Sequence, residues 1–382
     1  MTDTMKPSDI PYNPYAPVPI NSNLYKPYLR NGQLPIVYRD KYNSSFTNND
    51  YDREANISKE IIEKLNLDQS MLISPNLPTN EDLRLVHSNY KLYKFNSVGP
   101  ILYEILLEDG VDMNVDQSQF SKRYINTQKY QTAGTILAGK LAMQYGWSIN
   151  IGGGFNTSTE RYYKSPPNAY RLGIGATYAD ITLLVHYLFA HFPNQVKKVM
   201  IIDLDACPGY GIKCDFINRH DVFVLDIYNG DSYYDLNWQK SQSIKNVKAF
   251  TSSIDQEVDP FMANSVLENE IESEKKKTTE KDNYYLNLVE KRVKSSLDKF
   301  LPDFVVYIAG TNILRDHYHG GLLISKEGLL RRDEIVFENV RRKRNIPIAM
   351  LMGTACPNVY NKVYADSINN LKNKKIFEPI WH

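Results

Sequence analysis

Cysteine is scarce in this sequence, and its scarcity excludes a fold held together by disulfides. The 382 residues include three cysteines, Cys207, Cys214 and Cys356, and no two of them form a C-x-x-C pair. Small secreted domains that depend on disulfides need several bridges, which three cysteines cannot supply. We therefore expect a reducing compartment and a hydrophobic core, for which a hydrophobic content of 42% is sufficient.

The sequence also lacks a long apolar run and a strong net charge. It has no stretch of about 18 apolar residues, so no transmembrane segment is predicted. Its first residues have neither the apolar core of a signal peptide nor an Arg-rich pattern. We expect an intracellular protein that meets a membrane only through partners, in a mitochondrial complex entered without a cleaved presequence, a ciliary or cytoplasmic assembly, or a nuclear one. The net charge of +1 argues against a nucleic-acid partner.

Residues 1–33 are rich in both proline and tyrosine. The prolines are Pro7, Pro11, Pro14, Pro17, Pro19 and Pro27. Proline at this density prevents helix formation and favours extended, polyproline-like backbone. The same segment carries Tyr12, Tyr15, Tyr25 and Tyr28, and tyrosines are common anchors in protein interfaces. We predict an N-terminal arm that binds other protein subunits through these tyrosines; a solvated tail is the alternative.

Residues 34–382 have the pattern of a single α/β domain. Short apolar stretches such as VMIIDLDA (199–206), VFVLDIY (222–228) and DFVVYIAG (303–310) predict buried strands, and stretches of helical periodicity alternate with them. This alternation predicts a three-layer fold, with a mainly parallel sheet and helices on both faces. A charge-rich insertion at about 251–283 is predicted to include a solvated loop that could add contacts with partners.

Glycine-rich or polar segments follow directly after four of the predicted strands. They are GGGFNT (152–157), DLDAC (203–207), GTN (310–312) and MGTAC (352–356). In a parallel sheet, binding sites form beyond the carboxyl ends of the strands. We therefore predict that these segments line one pocket.

The same segments resemble a known family. The matching stretches are TAGTILAGKLAMQYGWSINIGGGF (132–155), YADITLL (178–184), IIDLDA (201–206), PDFVVYIAGT (302–311), HGGLLIS (319–325) and YADSINNL (364–371). Together they resemble the pocket-forming stretches of a class IV histone deacetylase, which implies an arginase/deacetylase fold. In that family a zinc ion polarises the acetyl carbonyl, a His base takes a proton from water and a Tyr hydroxyl stabilises the oxyanion.

The chain departs from the family where that chemistry takes place. Asn156 and Thr157 stand in place of a His–His pair, and neither exchanges a proton near neutral pH. At the zinc positions, which the family fills with Asp, His and Asp, this chain has Asp205, Cys207 and Asn312. Cys356 replaces the Tyr. These substitutions imply a pseudoenzyme without catalytic zinc.

Two points about the substituted pocket stay open. Asp203 matches a family residue that binds potassium and Asp226 is near a second ligand of that ion, so these carboxylates either hold a structural potassium ion or accept backbone hydrogen bonds at strand ends. Cys207 and Cys356 both occupy active-site positions of the family. They either form a thiol site or fill space as small buried hydrophobes, and the second is favoured because no basic residue of the motifs would activate a thiol.

The features taken together predict a structural or scaffold subunit of a larger protein assembly, inactive as an enzyme and docked through its N-terminal arm and insertions. Two alternatives belong to other functional classes. One is a module that binds acyl-lysine or a small acyl ligand without cleaving it. The other is a residual metal-dependent deacylase with an atypical site.

Overall fold

The computed structural model describes most of the chain, including the strands on which the predicted pocket depends. The described residues are 29–42, 59–89, 92, 117–154, 178–231, 243–250, 267–315, 320–352 and 360–381. For 117–124, 267–275 and 360–361 only the backbone is described.

Strands and helices are numbered in chain order within these residues. The strands are β1 (Ile36–Val37), β2 (Trp147–Asn150), β3 (Val199–Asp203), β4 (Val222–Asn229), β5 (Ile244–Ala249), β6 (Phe304–Ile308) and β7 (Ile348–Leu351). The helices are α1 (Asn80–Leu83), α2 (Gln117–Tyr145), α3 (Asp180–His191), α4 (Tyr210–Phe216), α5 (Leu267–Phe300), α6 (Lys326–Phe337) and α7 (Tyr360–Asn373). A π-helical segment, Glu338–Arg342, continues α6, and 3-10 turns cover Asp40–Tyr42 and Gln69–Met71.

The described strands form one parallel sheet in the order β1-β2-β7-β6-β3-β4-β5. Every residue of β3, β6 and β7 is buried, which explains their continuous apolar sequences. A strand covered by helices on both faces has no solvent side and therefore needs no polar alternation. The predicted α/β architecture with a parallel sheet is confirmed.

The connections run in two directions across this sheet. From β1 to β5 the chain moves towards one edge through α2, α3 and α4, and it then returns through α5 and α6 to β6 and β7. Because parallel crossovers are right-handed, the two sets of helices lie on opposite faces. The packing agrees, since α2 contacts α3 on one face while α6 contacts α5 and α7 on the other. The direction reverses between the neighbours β3 and β6, where ligand sites of such sheets lie.

Two elements extend beyond what the sequence pattern predicts. Helix α2 begins at Gln117, whereas clear helical periodicity in the sequence begins only at residue 132. The signal is weak before residue 132 because the first turns of the helix are rich in polar residues. Strand β5 is an edge strand with mixed burial, so its sequence IKNVKA carries no continuous apolar signal. No helix in the described part of the chain is both long and apolar enough to cross a membrane.

The charged run 268–283 is helical, not the solvated loop that its composition predicts. It forms the first half of α5, which is continuous over Leu267–Phe300. Glu and Lys are strong helix formers, and this propensity outweighs the tendency of charge-rich sequences to stay disordered. The helix is also docked: Lys281 is buried, and Asp282 accepts a hydrogen bond from the backbone N–H of Ser325, the N-cap of α6.

The burial of Leu297 on helix α5 offers a direct test of how this helix packs on the core. Leu297 is fully buried, whereas Leu301, just beyond the helix end, is 66% exposed. We expect Leu297→Ala to lower the free energy of unfolding by about 2–5 kcal/mol, because it leaves a cavity in the core. Leu301→Ala is the control and should change it by less than about 0.5 kcal/mol. Urea denaturation measures both, and similar losses would contradict the packing described.

Candidate functional site

The predicted metal-ligand positions meet where β3 and β6 end. Asp205 lies two residues after β3 and Asn312 lies four residues after β6. The amide Nδ2 of Asn312 donates a hydrogen bond to Asp205 Oδ2 at 3.1 Å and lies 3.9 Å from Cys207 Sγ. The structure thus brings a carboxylate, a thiol and an amide together at the reversal point of the sheet.

Local backbone contacts hold Asp205 in this position. Its N–H donates to Asp203 Oδ1 at 3.1 Å, and its own Oδ1 accepts the N–H of Ala206 at 2.8 Å. A glycine makes the close approach of the two strands possible, because a Cβ on Gly310 would lie 2.4 Å from Asp205 Cγ. Asp205 and Asn312 are only 8% and 7% exposed, so water competes weakly for their polar atoms.

Asn312 leaves one buried polar atom without a partner. Within the described part of the chain its Oδ1 has no hydrogen-bond partner, although an unpaired buried acceptor costs about 1–3 kcal/mol. A half-turn of the amide exchanges oxygen and nitrogen, and would place the oxygen beside Asp205 Oδ2 and Cys207 Sγ. The distances of 3.1 and 3.9 Å then compare with about 3.4 Å and about 3.6 Å between ligands of one tetrahedral ion. With the amide turned in this way, these two separations are compatible with a divalent ion of the kind that the family implies.

The described residues contain no group of three His, Cys, Asp or Glu side chains that could hold a metal. The candidate cluster has two donors of these types, Asp205 and Cys207, and its third member is the Asn312 amide. Asp205 and Cys207 supply the donor types that zinc prefers, whereas an amide oxygen is a harder and weaker ligand. A site of this composition is expected to bind its ion less tightly than one with three stronger donors.

A second buried cluster adjoins the first, where the last residue of β3 pairs with the middle of β4. Asp203 and Asp226 are register partners there. Burial, and then the neighbouring carboxylates of Asp226 and Asp205, raise the pKa of Asp203 well above its ordinary value. The ammonium of Lys213 lies 2.5 Å from Asp226 Oδ2, which also accepts the N–H of Gly209 at 2.8 Å. A protein cation therefore already pairs with one oxygen of the carboxylate that the sequence suggests for potassium, and Oδ1 of Asp226 has no partner within the described residues.

The buried guanidinium of Arg332 ties the two strand ends together from below. It donates to the backbone carbonyls of Leu204 at 3.1 Å, Gly310 at 2.6 Å and Ala309 at 3.3 Å. These carbonyls belong to the segments that carry Asp205 and Asn312. Arg332 is thus a positioning residue for both donors.

Helix α6 supports that guanidinium with its next residue. Asp333 lies 2.8 Å from Arg332 Nη2, and its oxygens accept hydrogen bonds from the hydroxyls of Tyr307 and Ser367, the second at 2.6 Å. Sequence reasoning missed this group, although a signal was available. Arg332 and Asp333 share the helical face of Leu329 and Val336, and charges on an apolar face indicate buried pairs.

The glycine-rich turn after β2 is held by a carboxylate of the chain itself. Asp180 Oδ2 accepts the N–H of Gly154 and the hydroxyl of Thr135, both at 2.7 Å. Gly153 has φ +67°, and a Cβ there would lie 2.1 Å from Thr135 Oγ1. The turn therefore needs glycine for its backbone conformation and close packing.

Several predicted site residues lie outside the described residues. They are Asn156, Thr157, Cys356 and the arm tyrosines Tyr12, Tyr15, Tyr25 and Tyr28. The predicted contact between Cys207 and Cys356 stays a prediction for that reason. Cys214 lies on α4 away from the cluster, and burial raises the pKa of its thiol to about 11.

Comparison with known proteins identifies the family. The histone deacetylase domain family matches residues 48–354. The chain belongs to the histone deacetylase family. It is 29% identical over 367 residues to histone deacetylase 2 of Arabidopsis thaliana, covering 94% of this chain and 84% of the relative.

Solved structures support the fold. An HDAC homologue complexed with SAHA superposes with a TM-score of 0.58 at 16% identity, covering 90% of this chain and 84% of the homologue. An HDAC homologue from Aquifex aeolicus gives a TM-score of 0.57 at 15% identity, covering 91% and 89%. At these identities the likeness concerns the fold alone.

The expectation that the chain is not an enzyme is wrong in the light of this membership. The family whose domain it carries and the Arabidopsis relative are both named for histone deacetylation, so the family indicates a deacetylase. That expectation compared residue types one position at a time. A metal site depends instead on the combined charge and arrangement of its donors, which single substitutions do not reveal.

The role of Arg332 can be tested against its neighbour. We expect Arg332→Met to lower the free energy of unfolding by about 3–5 kcal/mol, because Asp333 and the strand-end carbonyls would lose a buried partner. Arg331→Met is the control: this side chain is 42% exposed, and its ion pairs should contribute about 0–1 kcal/mol. Chemical denaturation of both variants measures the difference, and equal losses would refute the positioning role.

Proposed function

We propose that the chain is a metal-dependent deacylase of the class IV type, acting on acyl-lysine substrates at the Asp205–Cys207–Asn312 cluster. The Asn312 amide carries the proposal: its Nδ2 lies beside the Asp205 carboxylate and the Cys207 thiol, and its buried Oδ1 has no hydrogen-bond partner within the described residues, so a half-turn would present that oxygen to an ion. Family membership supports the reaction class and the acyl-lysine substrate. The proposal replaces the expectation of a site without metal.

The charge of the donor set gives independent support. The family's Asp, His and Asp carry two negative charges, one on each carboxylate. Here the Asp205 carboxylate and a Cys207 thiolate also carry two negative charges. Cys207 adds one negative charge relative to a neutral His, and Asn312 removes one relative to Asp. The two substitutions therefore compensate, and the electrostatic attraction for a divalent ion is retained.

The three side chains have distinct tasks in this site. Asp205 and Cys207 would hold the ion by charge, and Asn312 would complete the set with its amide oxygen. A divalent ion held there supplies Lewis acidity to the acyl carbonyl of a substrate. Arg332 keeps the donors aligned through the Leu204 and Gly310 carbonyls, so little reorganisation is needed when the ion binds.

Asn156 and Thr157, which follow the glycine turn in sequence, provide no general base. Neither side chain takes up a proton at neutral pH, so the rate enhancement of about 10²–10⁴ that a general base supplies is lost. We therefore expect slow turnover, which depends on the bound ion and on substrate positioning.

Metal content and acyl-lysine hydrolysis test this function together. Protein dialysed against zinc should retain about one ion per chain and hydrolyse a fluorogenic acetyl- or longer acyl-lysine peptide slowly. Cys207→Ser should lose both properties, because a hydroxyl is a far weaker zinc ligand than a thiolate. Cys214→Ser is the matched control and should lose neither.

Asn312→Asp should have the opposite effect and increase zinc affinity. It restores a carboxylate donor and should raise zinc affinity at least about tenfold, the equivalent of 1.4 kcal/mol. Folded wild-type protein that retains no zinc and shows no hydrolysis above buffer would refute the proposal, even if Asn312→Asp binds zinc.

We further propose that the protein works within an assembly of other protein subunits, to which residues 1–28 bind. The arm would leave the domain at a fixed point, because the N–H of Leu29 donates to the hydroxyl of Tyr145 at the end of α2, at 2.9 Å. Leu29 also packs against the core. The arm's many tyrosines support a role in binding.

Removing residues 1–28 tests the arm without disturbing Leu29. We expect the truncated protein to keep its unfolding midpoint but to lose its partners in affinity purification from the source cell. The full-length protein, tagged at the same end, is the control. Quantitative recovery of the same partners by the truncated protein would show that the arm is not the anchor.

A further inference from the structure

Lys213 is a fully buried lysine whose ammonium group is surrounded by a carboxylate and aromatic rings. It lies on α4, its side chain is 1% exposed, and its Nζ is 2.5 Å from Oδ2 of Asp226, which is 0% exposed. An isolated ammonium would be very costly at such a depth, so the position must compensate its charge.

Aromatic rings complete the environment. Nζ lies 5.3 Å from the ring centroid of Tyr210 and 5.0 Å from that of Tyr228. Both distances are within the range of cation–π attraction, which is strongest where water is excluded. Asp226 is fixed in turn by the N–H of Gly209. The cluster is therefore a cage of one carboxylate and two rings around a single positive charge.

The cage lies where the family resemblance implies a potassium site. Asp226 is the register partner of Asp203, and the two strand-end carboxylates are the residues that resemblance assigns to the ion. An ammonium group and a potassium ion carry the same charge and are of similar size. The Lys213 ammonium supplies Asp226 with the single positive charge that a potassium ion would bring, so an added ion is not needed to compensate that carboxylate.

We propose that Lys213 is a tethered cation that replaces a bound monovalent ion behind the metal cluster and makes the stability of this domain independent of potassium. A covalently attached cation does not have to bind from solution, so Asp226 stays paired whichever salt is present. The proposal does not depend on deacylase activity.

Thermal unfolding in two salts tests it. The chain is unfolded in potassium chloride and in N-methylglucamine chloride, whose cation is too large for the cage, at about 0.15 M ionic strength, where screening is equal. The wild-type midpoint should be the same in both. Lys213→Ala leaves room for an ion beside Asp226, so its midpoint should fall by roughly 5–10 °C in the N-methylglucamine salt and recover in part in the potassium salt.

Lys326→Ala is the control, because that lysine pairs with Asp366 at the surface and is 47% exposed. It should show little loss and no difference between the salts. The proposal would be overturned if the wild-type midpoint were higher in the potassium salt and if Asp226→Asn removed that difference between the salts. So would a Lys213→Ala protein as stable as the wild type, or one that potassium does not stabilise. If Lys213→Ala does not fold, the wild-type and Asp226→Asn comparison decides.

Discussion

The buried guanidinium of Arg332 is the interaction on which the candidate site depends. It donates to backbone carbonyls at the ends of β3 and β6, the two strands between which the direction of the sheet reverses. Asp333, itself held by Tyr307 and Ser367, balances its charge. Without this contact the carbonyls of Ala309 and Gly310 would lose the guanidinium donor, and the separation of the two segments would depend on weaker contacts such as the Leu204 N–H to Ile308 carbonyl bond at 3.3 Å.

Charge balance links the two proposals made for this pocket. Relative to the His and Asp that the resemblance implies at these positions, Cys207 and Asn312 move one negative charge between donors without changing the sum. In the neighbouring cluster the Lys213 ammonium pairs with Asp226, and we propose that it supplies the positive charge that a bound ion would otherwise supply. On this account both clusters keep their electrostatic character with different groups.

The sequence predicted the sheet and the meeting of Asp205 with Asn312, because continuous apolar strands in a parallel sheet align their carboxyl ends. It did not predict Lys213 or Arg332, since charged residues are expected at the surface unless their buried partners are known. The charged run in α5 was predicted to be a solvated loop for a related reason, since composition alone suggests exposure to solvent. The contact between Asp282 and Ser325 shows instead that this helix packs against the start of α6. The expectation of inactivity failed because it judged each donor alone.

The most direct test of the account is anomalous diffraction from crystals grown with zinc. The account predicts one peak within about 2.0–2.3 Å of Asp205, Cys207 and Asn312, with the Asn312 amide turned so that its oxygen faces the ion. Such a peak would show that the unpaired oxygen is a ligand awaiting a metal. Crystals with no peak at this position, and with Nδ2 of Asn312 still donating to Asp205, would contradict the central claim.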